Sequence, residues 1–97
     1  MSANNSYETM AVFSVANGDE SAQPLVEKFK ALIEANGTLE SIDEWGKRKL
    51  AYLINDEPDG YYVIYNYSAA PEFPAELERV FKITDGVLRS LTVSKNN

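Results

Sequence analysis

WGKRKLAYLINDEPDGYYVIYNY, residues 45–67, is two strand-forming runs separated by a polar turn cluster. Tyr61 to Tyr67 is dense in aromatic and β-branched residues, and Asn55-Asp56-Glu57-Pro58-Asp59-Gly60 before it holds the residue types that reverse a chain. The first run extends back to Thr38, so the spacing predicts a long strand over 38–54 that forms a hairpin with the next. In strict alternation Leu50, Tyr52 and Ile54 share one face of that strand, while Trp45, Lys47, Lys49, Ala51 and Leu53 share the other. Gly46 marks a bulge or bend.

Working outward, Tyr7 to Val15 reads as a first strand closed by the turn signal Asn17-Gly18-Asp19. A helix follows, with Ser21 as N-cap, Pro24 in the first turn, Leu25, Phe29, Leu32 and Ile33 at helical spacing, and Asn36-Gly37 as the stop. Beyond the hairpin, Pro71 and Pro74 break the chain before a second helix carrying Leu77, Val80 and Phe81; Asp85-Gly86 ends it and Val87 to Val93 is the last strand. The order is β-α-β-β-α-β. Two right-handed crossovers put both helices on one face of a four-stranded antiparallel sheet, the ferredoxin-like α+β layout, with strands one and three central and strands two and four at the edges. Both central strands are apolar on both faces, Met10 and Val12 alternating with Thr9, Ala11 and Phe13, and Tyr62 and Ile64 with Val63, Tyr65 and Tyr67. A helix-free sheet face of that kind invites a partner.

A chain of 97 residues supports one core, so residues 1–97 form a single domain, with 1–6 and 96–97 expected to be flexible. It contains neither cysteine nor histidine, which removes disulfides, thiolate and imidazole catalysis and almost every structural zinc site. No apolar run approaches the roughly 20 residues of a membrane span, and Met1 to Ser6 lacks the basic and apolar regions of a secretory signal. A soluble cytoplasmic protein without membrane contact is expected. Asp43-Glu44 and the cluster Asp56, Glu57, Asp59 lack the alternating ligands and closing glutamate of a calcium loop, and no phosphate-cradling glycine motif occurs. No metal, cofactor, small-molecule substrate or enzymatic activity is therefore expected.

The net charge of −6 argues against a protein that holds nucleic acid by bulk electrostatics. That total conceals a segregation. Residues 1–44 carry eight acids against Lys28 and Lys30, and residues 51–78 carry six acids and no base. Between them lie Lys47, Arg48 and Lys49 with no acid, and Arg79, Lys82, Arg89 and Lys95 follow with Asp85 alone. These two basic segments fall on opposite edge strands. They suit either phosphate contact or the guarding of sheet edges.

The strings Tyr7-Glu8, Trp45-Gly46-Lys47-Arg48-Lys49-Leu50-Ala51-Tyr52 with Ile54, Gly60-Tyr61-Tyr62-Val63 and Ile83-Thr84-Asp85-Gly86-Val87-Leu88-Arg89 appear in this order. Over Tyr7 to Lys95 the chain resembles the bacterial small-subunit (30S) ribosomal protein S-six family. The family commonly has a base before the Tyr-Glu pair and a proline in the Ala-Tyr-Pro-Ile string, where this chain has Ser6 and Leu53. The resemblance implies a structural, ribosome-associated protein that binds the central domain of small-subunit ribosomal RNA together with ribosomal protein S-eighteen during platform assembly. Arg89 and Lys47 are the first candidates for RNA or partner contact, followed by Lys49, Lys95 and Trp45. The alternatives are a ferredoxin-like ligand-sensing or oligomerisation module without RNA, and a hydrolase of the acylphosphatase type. The hydrolase ranks last, because Ala16-Asn17-Gly18-Asp19-Glu20 is acidic where an arginine-bearing phosphate loop is required.

Overall fold

The computed structural model describes residues 5–16, 18–54 and 57–95. Its elements are β1 (Asn5–Phe13), a 3₁₀ turn (Asp19–Ala22), α1 (Gln23–Asn36), β2 (Gly37–Ile54), β3 (Glu57–Ala69), α2 (Phe73–Ile83) and β4 (Val87–Ser94). The strands form one antiparallel sheet in the order β2-β3-β1-β4. This is the ferredoxin-like order expected, with β3 and β1 central.

One face of the sheet meets both helices. Tyr7, Thr9, Ala11 and Phe13 of β1 and Val63, Tyr65, Tyr67 and Ala69 of β3 alternate onto it and are buried, against Val26, Phe29 and Ile33 of α1 and Phe73, Leu77 and Phe81 of α2. The Phe29 ring stacks on Phe81 at 4.0 Å and on Phe13 at 5.9 Å, joining both helices to β1. The buried phenols find partners: Tyr65 donates to the Val26 carbonyl at 3.0 Å, and the Tyr67 hydroxyl is 2.9 Å from Thr9 Oγ1. From Thr9 a hydroxyl chain continues to Thr92 at 2.8 Å, and Thr92 donates to Glu78 of α2 at 2.6 Å. Ser90 donates to the other Glu78 oxygen at 2.7 Å. β4 is thus fastened to α2 by hydroxyls on a carboxylate; Val87 at its start packs on the core, while Leu91 and Val93 are turned the other way.

Several local expectations are corrected. β1 ends at Phe13 rather than Val15, and Ser14 N–H instead donates to the Gly86 carbonyl at 2.7 Å. Ser21 does not cap α1; it lies in the 3₁₀ turn and donates to the Gly18 carbonyl at 2.6 Å, and α1 begins at Gln23 without a capping side chain. Pro74 sits inside the first turn of α2, where its missing N–H costs no helix bond, rather than before it. Gly37 stops α1 through extended backbone, φ −173°, and leads straight into β2 beside Ala69. The cluster before Tyr61 is not all turn: β3 starts at Glu57, and Asp59 and Gly60 pair with Lys49 and Arg48. Asn17, Asn55, Asp56, residues 1–4 and 96–97, and the side chains of Asp19 and of 51–57 lie outside what is described, including the Tyr52 and Ile54 part of the expected apolar row.

The correction with most consequence concerns β2. Its register with β3 slips between Leu39 and Ser41, between Glu44 and Gly46, and between Lys49 and Ile54. Gly46 takes φ +82° at the second slip, so the expected bulge is there, and it exchanges the faces on either side of it. Trp45 and Lys47 therefore do not share a face. Trp45 lies over Tyr62 on the helix-free side, whereas Lys47 pairs with Tyr61, whose hydroxyl bonds Glu44 and Gln23 on the helix side. Leu50 is buried on the helix-free side near Gly60, where Val12 and Leu88 also converge.

Burial pushes the Tyr65 phenol well above the ordinary tyrosine range and raises that of Tyr67 as well. Below about pH 10 they keep their protons folded or unfolded and stability is full; above it only the unfolded chain releases them, so stability falls as pH rises. Tyr65→Phe is expected to make that alkaline decline shallower, at about 1 kcal/mol of stability near neutral pH for the lost hydrogen bond; urea unfolding across a pH series measures both. The two glycines of β2 should respond differently. A Cβ at Gly37 runs into the Ser68 carbonyl oxygen, while one at Gly46 meets nothing within 4 Å. Gly37→Asn is expected to cost about 2 kcal/mol or more through overpacking, whereas Gly46→Asn, compatible with positive φ, stays within about 1 kcal/mol.

Candidate partner and nucleic-acid interface

The second face of the sheet carries no helix, and alternation from the core positions decides what it presents. β1 contributes Glu8, Met10 and Val12, β3 contributes Tyr62, Ile64, Asn66 and Ser68, and β4 contributes Arg89, Leu91 and Val93. The middle is apolar: Met10 stands between Ile64 and Leu91 in the ladder. Leu91 is 49% exposed and Val93 44%, large aliphatic side chains that the fold leaves in water. Their exposure follows from Ser90 and Thr92, whose hydroxyls take the helix side of the same strand.

The five residues singled out in the sequence do not form one cluster. Trp45, 51% exposed, lies at the β2 end of the helix-free face with its ring 6.4 Å from Tyr62 at an interplanar angle of 12°. Arg89 is on the same face but across the sheet, opposite Val12 in the ladder. Lys95 follows β4, where its backbone N–H donates to Ser6 and its Nζ reaches Asn66 at 2.9 Å. Lys47 and Lys49 are exposed on the helix-bearing side of β2, opposite Tyr61 and Asp59. The face thus gathers Trp45, Arg89 and Lys95 around an apolar centre and sends Lys47 and Lys49 round the edge.

Arg48 belongs to this face although sequence reasoning did not select it, and it joins Tyr62, one of the central-strand aromatics already noted in the sequence. Arg48 places its guanidinium 5.9 Å from the Trp45 ring centroid, and Tyr62 forms the floor beside them. Gly46 was the signal: counting alternation afresh beyond a bulge moves Arg48, not Lys47, to the side of Trp45. Arg79, by contrast, is held by Glu76 in a two-bond pair, with Nη2 to Oε2 at 2.6 Å, and that bond lowers the carboxyl pKa of Glu76. Among the described residues no group of three or more His, Cys, Asp or Glu is placed to hold a metal ion, and no helix is long and apolar enough to cross a membrane. What the face can do chemically is exclude water over its aliphatic centre and meet anions or planar groups at its rim.

Comparison with known proteins gives a consistent answer. The family model for Ribosomal protein S6 matches residues 6–94. The small ribosomal subunit protein bS6 of Thermoanaerobacter pseudethanolicus is 53% identical over 89 residues, covering 91% of this chain and 94% of that one. Its counterpart in Clostridium novyi is 49% identical over 89 residues, with the same coverage of both chains. The crystal structure of 30S ribosomal protein S6 from Thermotoga maritima has a TM-score of 0.88 at 26% identity, covering 96% of this chain and 89% of that one. With the family model spanning residues 6–94 and relatives about half identical over nearly the whole length, the chain belongs to the ribosomal protein S6 family.

Proposed function

We propose that this chain binds the central domain of small-subunit ribosomal RNA jointly with ribosomal protein S-eighteen, as part of platform assembly. Family membership makes it a structural protein of the small ribosomal subunit, ribosome-associated in the cytoplasm, and not an enzyme. The finer reading rests on one observation above all, the helix-free face with Leu91 and Val93 in water and cations at its rim. A chain of net charge −6 repels phosphate overall, so a basic protein seated on the aliphatic centre supplies the charge that the chain lacks. Arg89, beside that centre, and Lys47 and Lys49, round the β2 edge, then lie at the margins of a composite surface and can touch phosphate without disturbing the core.

The partner half of this reading is tested at β4. Leu91→Asp puts a charge on the aliphatic centre at a half-exposed site, so the melt should move by less than about 0.5 kcal/mol. Heterodimer formation with ribosomal protein S-eighteen, followed by size-exclusion chromatography, should be lost. Pairing that survives the change, or a homodimer that forms through this face instead, argues against the proposal and for a self-associating module.

The RNA half is tested by the salt dependence of binding. The joint complex should hold the RNA far more tightly than the chain alone. Each direct phosphate contact removed by Arg89→Ala or Lys47→Ala should flatten the log–log salt slope by about 0.7 to 0.9. Arg89 is expected to have the larger effect, because a guanidinium bridges two phosphate oxygens. Filter binding over a salt series, with thermal melts confirming both variants folded, gives the answer; unchanged slopes in both assign the basic segments to protein contact or solubility.

A further inference from the structure

Trp45, Arg48 and Tyr62 line an open concavity of about 430 Å³ where β2 crosses the helix-free face. Three features set this corner apart from the aliphatic centre. Two aromatic rings from neighbouring strands stand nearly parallel, 12° apart, with the indole half in water. A guanidinium lies 5.9 Å from the indole centroid. The indole is aimed there by backbone: Gly46 adopts φ +82° with open space around it, so the glycine serves the turn of the chain and not close packing.

We infer that this corner is a stacking site for one unpaired nucleotide, the base lying against Trp45 and Tyr62 and Arg48 reaching its phosphate. The inference rests on the RNA-binding reading above and specifies part of the RNA that the chain would take. Charge decides between occupants. Arg48 already occupies the neighbourhood of the indole as its cation, so a second arginine or lysine from a basic protein meets like charge there, whereas a planar group that carries an anion meets an opposite one. Of the nearby acids, Glu44 is turned to the helix side, accepting from Tyr61 at 2.7 Å and lying 3.3 Å from Gln23; Asp43 shares the helix-free face but stands one rung away, opposite Ile64, and does not line the concavity, whereas Arg48 does. Lys47 and Lys49 flank Arg48 on the other face of the strand, and no acid lies between Trp45 and Leu50. Stacking without base-edge readout tolerates any sequence, since every base offers a π-face.

Trp45 is the single tryptophan of the chain, so its fluorescence reports this corner and nothing else. The full-length chain is titrated at low salt with short unstructured oligouridylate, and with an RNA duplex of equal length. Saturable quenching by the single strand and not by the duplex is expected. Arg48→Ala, which keeps the fluorophore, should weaken that binding about five-fold or more, and flatten the salt slope by about 0.7 for one single-strand phosphate. No quenching, equal quenching by the duplex, or an unaltered titration in a folded Arg48→Ala variant overturns the inference. Quenching by ribosomal protein S-eighteen but not by oligouridylate also overturns it, assigning the corner to protein. If the joint complex holds ribosomal RNA while the corner fails to quench, only the stacking site falls. Quenching by oligouridylate with no retention of ribosomal RNA keeps the site and removes the role proposed above.

Discussion

Phe29 lies between Phe13 of β1 and Phe81 of α2, and that stack fixes which side of the sheet is covered. Both helices pack on one face, where right-handed crossovers would bring them, and the aromatic contact closes them over it. Everything functional follows from the face left over. A sheet whose central strands are apolar on both sides, with helices on only one, must leave apolar area in water until something else covers it.

β4 shows how the fold enforces this. In an ordinary edge strand the aliphatic side chains turn toward the helices and the hydroxyls toward solvent. Here Ser90 and Thr92 point inward to Glu78, in a chain of hydroxyl bonds that runs on through Thr9 to Tyr67. A carboxylate beneath a helix is tolerated because both its oxygens are occupied. The arrangement reserves Leu91 and Val93 for the outside, which is the signature of a surface made to be covered rather than of a core imperfectly closed.

The element order, the sheet topology and the helix faces that carry Phe29 and Leu77 were legible because period-2 and period-3.6 patterns are strong in this chain and Pro24, Asn36-Gly37, Pro74 and Gly86 fall near element ends; which face of the doubly apolar central strands is buried was not. Less was legible at the candidate site. The position of Gly46 announced a bulge, but strict alternation carried across it placed Trp45 with Lys47, and one inserted residue reverses every assignment beyond it. Ser21 has the right residue type for an N-cap, yet the preceding 3₁₀ turn took its hydroxyl. The identity of Arg48 as the neighbour of Trp45 depends on cross-strand register, which no local pattern in the sequence specifies. Arg89 was placed on its edge strand from local pattern alone; the slip in its ladder falls between Val87 and Arg89 and leaves Arg89 to Ser94 in regular register with β1.

The pairing of β1 with β4 joins residues far apart in the chain, from Phe13 with Val87 to Tyr7 with Ser94, and the Thr9–Thr92 bond spans a separation of 83. On a chain emerging vectorially from the ribosome, β2 and β3 can form their hairpin, and β1 can join β3, while one side of β1 still exposes unsatisfied backbone groups. The central strand therefore has a bare edge for the whole interval in which residues 70–94 are being made. Closure of that edge is the slowest contact to form, because the longest loop must be drawn in before any hydrogen bond rewards it. A newly made copy is therefore expected to be most prone to edge-to-edge pairing before β4 has been made.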